Sequence, residues 1–529
     1  MAPPSPRTGM LRRLFGLTAL VLALLSAPSA RADELTVGVR AGPLGLDPHH
    51  AAAPQHAAAM RNIFDTLVRR SPRMAIEPGL AESWHRIDET TWEFRLRRNV
   101  LWHDGTPFTA ADVKHSIERI PGVGTADGGL LANVAAINAV VIVDDHTIRI
   151  RTEGLAPTLL ADLDRVFMVQ SSPNTTLRTG DHAVGTGPYR YVSWEPGREL
   201  VLERFDEHWD DPKPHFSRVV FREIPEDSQR VAALANGAVD LINHVPITGI
   251  ATLRRAQHIQ VLHTPSIFVF LLHPDGRPTS PLVTAHDGQP LSQNPFRDLR
   301  VRQALSLAID RGEIARTVME GVAEPANTPL PRGFFGVPPD AADLRHEPAE
   351  ARRLLAEAGY PRGFRVQLRC TGDRFPGDAR ICTALARSLA QIGIVAEATA
   401  LPTLDYFTGF ARGDYSLAMN GWGTLSGDAT SMLALLLATR GVDPALGAFN
   451  RMRYSNAEVD RLARASLEAT DEEHRRRLVE QGMRTAMNDH AVIPIVTVPA
   501  LWAANSRRLS FTPRMDEETL AIAARPSGR

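Results

Sequence analysis

Lysine, cysteine and long apolar runs are scarce in this 529-residue chain. Lys114 and Lys213 are its only lysines, so nearly all of the 59 basic side chains are arginines. Cys370 and Cys382 are its only cysteines, which disfavours a lipid-anchored form because none lies near the N-terminus. A membrane-spanning helix needs roughly 20 apolar residues. No such run follows the first 32 residues, which predicts a soluble mature protein.

Three short motifs of exported hydrolases are also missing. The chain contains no Gly-x-Ser-x-Gly, no His-Glu-x-x-His and no Ser-x-x-Lys, the patterns typical of serine and zinc hydrolases. A pair of carboxylates can catalyse hydrolysis without leaving a motif, so an exported hydrolase stays as a distant alternative. We expect a protein that is not an enzyme and that uses no cofactor.

Residues 1–32 have the layout of an export signal. An arginine-rich start precedes a 12-residue apolar stretch over 14–25, and small residues lead to a predicted cleavage site between Ala32 and Asp33. The apolar stretch is short for a membrane span, which makes an uncleaved anchor the less favoured alternative. The pair Arg12-Arg13 is also compatible with a twin-arginine signal, so the export route stays open. The signal predicts a periplasmic protein.

Removal of residues 1–32 takes away four arginines and no acid, and leaves 55 basic and 60 acidic residues with a net charge of −5. This balance gives no reason to expect nucleic acid or an anionic membrane surface as partner. The remaining 497 residues predict two or three lobes. In an oxidising compartment Cys370 and Cys382 predict a disulfide that stabilises by about 3 kcal/mol. A pair of buried thiols is the alternative.

The segment 91–113 combines several structural signals. Apolar residues alternate with charged ones over 92–96, which predicts a half-buried strand. A turn at Arg98-Asn99 and renewed alternation at Val100 and Trp102 predict the second strand of a hairpin. Thr109 then predicts the N-cap of a helix. A second hairpin is predicted over 139–150.

The residues after 363 alternate between strand and helix patterns. Val366 and Leu368 predict a strand, 371–378 a loop, and 381–389 a helix. Further strands are predicted over 394–401 and 415–419, a helix over 404–411, a loop over 421–428 and a helix over 429–438. In open α/β sheets ligands bind beyond the carboxyl ends of the strands. The loops 371–378 and 421–428 are therefore the candidate ligand loops.

Several longer sequence segments, in the same order, closely resemble the family 5 extracytoplasmic solute-binding proteins, which are the peptide and nickel receptors of ABC importers. These segments are 81–84, 91–113, 185–194, 294–305, 308–311 and 354–364. The resemblance covers nearly the whole mature chain. It implies a class II periplasmic binding protein fold, with two hinged α/β lobes and a small inserted lobe. It also implies a monomer that captures a small molecule or short peptide and delivers it to the transmembrane subunits of a permease, with only peripheral contact with the membrane.

The resemblance also implies the boundaries of the lobes. Lobe I corresponds to 33–70, 185–290 and 492–529, the inserted lobe II to 71–184, and lobe III, which carries the ligand loops, to 291–491.

Two charged residues of the ligand loops follow from this resemblance. Peptide-binding relatives hold the ligand's carboxylate with an arginine, and Arg374 matches it by position; the planar guanidinium suits a carboxylate. The alternative is a surface arginine paired with Asp373 or Asp378. Relatives place an aspartate three residues after the tryptophan for the ligand's ammonium, but this chain has Leu425 there. Asp428 is either its substitute or a helix N-cap.

Three further residues are candidate ligand contacts. Trp422 either offers a flat aromatic face to the ligand or packs beneath the loop, and Gly421 beside it favours the first reading because it allows a close approach of the backbone. Tyr406 is also a candidate, although an aromatic residue on an amphipathic helix is more often core. The loss of the aspartate at Leu425 opens the ligand class to modified peptides such as glutathione and to other anionic solutes, including opines.

Two other roles are compatible with the same family. A nickel or haem carrier would use histidines such as His49, His50 and His56 as metal ligands, although solvated histidines are the commoner case and no Cys–His cluster supports them. A receptor that presents its bound solute to a membrane sensor has the same sequence requirements.

Overall fold

The computed structural model describes residues 33–123, 129–171, 183–280 and 282–528. The export signal predicted for residues 1–32 lies outside these ranges. None of the helices within them is long and apolar enough to cross a membrane. The strands are β1 Glu34–Val39, β2 Val68–Arg70, β3 Ile76–Pro78, β4 Ala81–Arg86, β5 Thr91–Leu96, β6 Ile137–Asp144, β7 Thr147–Thr152, β8 Tyr189–Glu195, β9 Glu199–Arg204, β10 Arg218–Glu223, β11 Leu241–Asn243, β12 Ile259–Pro274, β13 Val283–Thr284, β14 Arg365–Thr371, β15 Val395–Leu401, β16 Leu417–Gly423, β17 Ile493–Asn505, β18 Leu509–Phe511 and β19 Ala524–Pro526.

The helices lie mainly on the C-terminal side of the chain. They are α1 Pro54–Met60, α2 Ala110–Arg119, α3 Leu131–Val134, α4 Leu159–Leu163, α5 Asp227–Ala235, α6 Ile247–Arg255, α7 Leu299–Ala308, α8 Arg311–Glu313, α9 Pro348–Glu357, α10 Asp378–Ala390, α11 Thr403–Arg412, α12 Thr430–Met432, α13 Ala457–Glu468 and α14 Glu472–Asn488.

One mixed sheet of eleven strands forms the centre of the molecule. Its order is β13-β14-β16-β12-β17-β11-β1-β10-β9-β8, and β15 pairs with the other edge of β14. The strands β14, β15 and β16 run parallel on one side, and β1 runs parallel to β10 and β11 on the other. The long antiparallel strands β12 and β17 join the two sides.

Strand β12 lies between β17 and β16. It pairs with β17 over 259–265 and again at Val269, Leu271 and Leu272, and its second half, 268–274, also pairs with β16 over 423–417. The pairing with β17 shifts register between Pro265 and Val269 and again before Leu271. Such irregularities bend a strand and increase its twist. The two sides of the sheet therefore meet at a bent stretch of β12.

The α/β pattern after residue 363 is confirmed in its order of elements. Helix α10 buries Ile381, Leu385 and Leu389, as the helical spacing predicted. The predicted strand 415–419 instead begins at Leu417 and continues to Gly423, because its later residues pair with 268–270 of β12. The predicted helix 429–438 is α12 followed by one π-helical turn over Leu433–Leu437.

A separate antiparallel sheet, β4-β5-β7-β6, lies between residues 81 and 152 and has its own hydrophobic core around Phe94, Trp102 and Phe108. The hairpin predicted over 139–150 is confirmed by the pairing of β6 with β7. The hairpin predicted within 91–102 is wrong, because β5 pairs with β4 and β7 instead. The helix predicted at Thr109 is present as α2, and Asp112 accepts a hydrogen bond from the Thr109 backbone N–H at 2.9 Å.

Candidate functional site

Arg374 lies on the loop between β14 and α10, and the residue as a whole is exposed to solvent. The guanidinium carbon lies 5.1 Å from the ring centre of Phe375 and 5.1 Å from that of Phe407. Partial burial lowers the pKa of Arg374, because it disfavours the charged form. None of the ion pairs among the described residues includes Arg374, so its positive charge is not balanced by a carboxylate.

The two acids that sequence reasoning offered as partners of Arg374 have other roles. Asp373 accepts hydrogen bonds from the backbone N–H and the hydroxyl of Thr403, at 2.8 and 2.6 Å. Asp378 accepts from the backbone N–H groups of Arg374 and Phe375, at 3.1 and 3.3 Å. Burial raises the pKa of Asp378, and these backbone hydrogen bonds oppose the rise. Both acids accept hydrogen bonds from backbone N–H groups, and neither forms an ion pair with the guanidinium of Arg374.

A disulfide joins Cys370, at the end of β14, to Cys382 in α10, with 6.0 Å between their Cα atoms. Both residues are buried. The bond links the two segments, the end of β14 and the helix α10, that flank the Arg374 loop. A loop that is held in place before binding loses less conformational entropy when a ligand arrives.

Gly421 lies in β16 rather than in a loop, and the close approach that it allows is to Phe375. A Cβ atom at position 421 would lie 2.5 Å from Cε2 of that ring. Phe375 also packs against Phe268 and Phe270, with ring centres 5.1 and 5.7 Å apart. Gly421 therefore acts on the site indirectly, by leaving space for the aromatic ring beneath Arg374.

Trp422 also belongs to β16, and its ring is partly buried. It contacts Phe449 edge to face, with ring centres 5.6 Å apart. Its indole Nε1 is buried and makes no hydrogen bond. Leu425, at the position where relatives carry an aspartate, is 46% exposed, and Phe449 is 48% exposed. This part of the site therefore presents an apolar surface and no anion.

Asp428 is buried and already paired. Its Oδ1 accepts from the Thr430 backbone N–H at 2.7 Å, at the start of α12. Its Oδ2 lies 2.5 Å from Nη1 of Arg475, in an ion pair that is nearly inaccessible to solvent. The guanidinium of Arg475 also lies over the ring of Phe335, at 4.0 Å. This geometry favours the helix cap over the substitute anion.

Tyr406 is fully buried in α11. Its hydroxyl accepts a hydrogen bond from Nδ2 of Asn420 at 3.1 Å, and its ring stacks on Phe410. Burial raises its pKa. The expected ligand contact therefore needs correction, because the side chain lies in the core, as aromatic residues on amphipathic helices usually do.

Two of the three histidines considered as metal ligands, His49 and His56, are engaged with protein groups. Nε2 of His49 lies 2.7 Å from the carbonyl oxygen of Phe167, and His49 is fully buried. Nε2 of His56 lies 3.0 Å from the carbonyl oxygen of Asp47, and its Nδ1 accepts from the Leu44 N–H at 3.3 Å. The described part of the chain contains no group of three or more His, Cys, Asp or Glu side chains that could hold a metal ion.

A small pocket next to the Arg374 loop was not anticipated from the sequence. Its walls come from β11, β17, the C-terminal tail and the Arg374 loop, and are formed by Asn243, His244, Pro376, Pro499, Leu501, Trp502 and Glu517. Burial raises the pKa of Glu517 to about 7. Burial lowers the pKa of His244 to about 4, and the nearby Arg40 and Arg230 lower it further. No local sequence pattern brings these segments together.

Comparison with known proteins agrees with this architecture. The profile described as bacterial extracellular solute-binding proteins, family 5 Middle, matches residues 75–443. The glutathione-binding protein GsiB of Escherichia coli O1:K1 / APEC is 27% identical over 509 residues, which cover 94% of this chain and 95% of the relative.

Two solved structures share the fold. The murein tripeptide-binding protein MppA in its unliganded open form has a TM-score of 0.78 at 22% identity, covering 94% of this chain and 99% of that one. The periplasmic binding protein DppA of Helicobacter pylori, solved with the peptide STSA, has a TM-score of 0.67 at 21% identity, covering 94% and 98%. The fold is therefore the two-lobe class II fold of periplasmic binding proteins.

Proposed function

Because this chain belongs to the family 5 bacterial extracellular solute-binding proteins, we propose that it captures a peptide or peptide-like solute and delivers it to an ABC permease. The observation that carries the proposal is Arg374, an exposed residue whose guanidinium lies over two aromatic rings and has no carboxylate partner among the described residues. A guanidinium makes two parallel hydrogen bonds to a carboxylate. Arg374 is therefore the proposed anchor for the acidic end of the solute.

The relatives support a ligand of peptide character. The name of GsiB assigns it glutathione, and DppA of Helicobacter pylori was solved with a tetrapeptide. Such ligands carry a carboxylate and polar main-chain groups, and binding through these groups tolerates many side chains. The apolar surface of Trp422, Leu425 and Phe449 would take an uncharged part of the solute.

Capture would proceed by closure of the two sides of the large sheet around the solute. The bent stretch of β12 between Pro265 and Val269 is where the two sides meet, and hinges are a few residues that absorb such a change. Pro376 of the Arg374 loop and Glu517 of the C-terminal tail line one pocket, and the Ile267 N–H of this stretch donates to the carbonyl oxygen of Met515 at 3.0 Å. We propose that the closed form docks on the permease from the periplasm. We also propose that lobe I is formed by residues 33–70, 185–290 and 492–529, lobe II by 71–184 and lobe III by 291–491.

Isothermal titration calorimetry with glutathione and with the peptide Ser-Thr-Ser-Ala tests the anchor. The Arg374→Ala protein should bind at least tenfold more weakly than the wild type, because one charge-assisted contact is lost. Arg374→Lys keeps the charge but cannot make two parallel hydrogen bonds to a carboxylate. It should therefore recover only part of the affinity. Arg387→Ala is the matched control, since Arg387 is exposed on α10 and takes part in no ion pair of the described residues. Equal affinity of the Arg374→Ala and wild-type proteins would refute the anchor.

Mass spectrometry of solutes that co-purify with the native protein tests the ligand class independently. The proposal expects small molecules with a carboxylate and peptide bonds, recovered intact. Recovery of neutral sugars only, or of a metal ion without an organic ligand, would contradict it.

A further inference from the structure

The turn 514–518 in the C-terminal tail carries three consecutive acids with different surroundings. Asp516 pairs with Arg514, with Oδ2 2.6 Å from Nη2. Oε2 of Glu518 lies 2.7 Å from Nε of Arg61. Glu517, between them, takes part in no ion pair among the described residues.

Backbone hydrogen bonds hold the turn at Glu517. Its N–H donates to the carbonyl oxygen of Arg514 at 3.2 Å, and the next N–H donates to Oδ1 of Asp516 at 3.1 Å. Glu517 itself has a φ of +64°, in the left-handed region that residues other than glycine adopt infrequently. The side chain lines the pocket that Pro376 of the Arg374 loop also lines.

One side-chain hydroxyl supports the Glu517 carboxylate. Oγ of Ser266 accepts the Phe268 N–H at 3.2 Å, and this hydroxyl favours the ionised form of Glu517 and so lowers its pKa. Ser266 lies in the bent stretch of β12, and Phe268 from the same stretch packs on Phe375. Two strand positions span about 7 Å. The carboxylate and the aromatic platform under Arg374 are therefore neighbours across this stretch.

The surroundings of Glu517 leave its negative charge uncompensated. Asp516 is the nearest charged group acting on it and opposes its ionisation. His244, across the pocket, is neutral near pH 7 because its pKa is about 4. A half-buried carboxylate with one hydrogen-bond donor is costly to keep ionised. A cationic group that enters the pocket would remove this cost.

The other acids near the ligand loops are not available for this role. Leu425 stands where relatives carry the ammonium-binding aspartate, and Asp428 is committed to Arg475 and to the start of α12. Asp373 and Asp378 of the Arg374 loop also lack a cation, but both accept hydrogen bonds from backbone N–H groups. Glu517 is thus an acid next to this loop that has neither a cation nor a backbone N–H donor for its carboxylate among the described residues.

We propose that Glu517 binds the cationic nitrogen of a zwitterionic solute whose carboxylate lies on Arg374. The inference rests on the proposed function and refines it, since it assigns the amine end of the solute to the C-terminal tail instead of to β16. The solute class is then a free-amine peptide or a similar amino acid derivative.

A competition between free and N-acetylated peptides tests this assignment. An equimolar mixture of a tripeptide library and its N-acetylated counterpart is incubated with protein, and the retained peptides are measured by mass spectrometry after ultrafiltration. The wild type should retain free-amine peptides at least tenfold in excess. The Glu517→Gln protein should lose this preference, while its affinity for acetylated peptides stays equal to that of the wild type. Glu153→Gln is the control: it removes an exposed carboxylate next to the four-stranded sheet and should keep the wild-type preference.

The outcomes separate this inference from the proposed function. Retention of both peptide forms alike by the wild type, or an undiminished amine preference in a folded Glu517→Gln protein, would overturn the role of Glu517 and leave peptide binding intact. Retention of no peptide at all would overturn both. A thermal melt of each variant establishes that it is folded, and Glu517→Asp, which keeps the charge, should retain part of the preference.

Discussion

The ring of Phe375 occupies the space that a side chain at position 421 would need, so Gly421 and Phe375 form one packing unit. Through this unit, β16 supports the residue that lies beneath the Arg374 guanidinium. A glycine that seemed to favour contact with a ligand is therefore explained by contact with the neighbouring loop.

The substitution Gly421→Ala tests this unit. The added methyl group must displace a ring that is held between Phe268 and Phe270, and overpacking of this kind costs about 1–3 kcal/mol. We expect a loss of that size in the free energy of unfolding, measured with urea, and weaker peptide binding in calorimetry. Gly154→Ala is the control, because nothing lies within 4 Å of its added Cβ. Equal effects of the two substitutions would contradict the prediction.

Removal of the disulfide should loosen the ligand loop. The double variant Cys370→Ala/Cys382→Ala releases a constraint across 12 residues, which corresponds to about 3 kcal/mol in the chain-entropy model. We expect a lower melting temperature and a less favourable binding entropy for Ser-Thr-Ser-Ala, because the loop is then ordered during binding. Unchanged calorimetric entropy would indicate that the loop is held by its packing alone.

The substitution Asp428→Asn separates the ion pair from the helix cap. Asparagine still caps a helix, but it leaves the buried Arg475 without its counter-ion. Breaking a buried pair in this way costs about 3–5 kcal/mol, which urea unfolding would measure. Peptide affinity at a temperature where the variant is folded should stay within about twofold of the wild type, since the pair does not face the solute. A selective loss of binding to free-amine peptides would instead make Asp428 the amine partner.

Peptide affinity should depend on pH through Glu517. Its pKa is about 7 in the unliganded protein, and a cation binds only the ionised form. Affinity for a free-amine peptide should therefore rise from pH 5.5 to 7.5, by up to about tenfold per unit below the pKa. Asp516 stays paired with Arg514, and His244 stays neutral over this range. Calorimetry with the Glu517→Gln protein, or with an N-acetylated peptide, should show no such rise.

The same carboxylate should lower the stability of the unliganded protein. Its pKa is raised from 4.5 to about 7 on folding, so the folded protein holds this proton more tightly than the unfolded chain. Stability from this group is then present below pH 4.5 and is lost as the pH rises towards 7. At pH 8 the Glu517→Gln protein should exceed the wild type by up to about 3 kcal/mol in urea unfolding. A variant that is less stable than the wild type at pH 8 would show that the carboxylate supports the turn instead.

Local patterns predicted much of this architecture, and distant contacts account for the remainder. The spacing of Ile381, Leu385 and Leu389 was sufficient to predict α10, because a helix buries residues three and four positions apart. The extension of β16 to Gly423 depends on pairing with β12, more than 140 residues earlier. No periodicity within residues 415–423 contains that information.

In the candidate site, too, some features could be predicted from local sequence and others depend on distant contacts. The loop that carries Arg374 follows from a strand and a helix that can be recognised locally. The ion pair that engages Asp428 is formed with Arg475, which lies 47 residues further along the chain. The pocket around Glu517 needs Ser266 and Pro376 from two other segments, so an acid within Asp516-Glu517-Glu518 could not be singled out from its neighbours in sequence.

Strand β17 begins at residue 493 and lies between β12 and β11, while the first strand of the chain, β1, is the next neighbour of β11. A chain whose synthesis has stopped before residue 493 would have two unconnected groups of strands with open edges. The middle of the sheet closes only after residues 493–505 have been made. Contacts that join such distant segments form slowly, and exposed edges invite pairing with other chains. Newly made copies should therefore be open to such pairing until residues 493–505 are available.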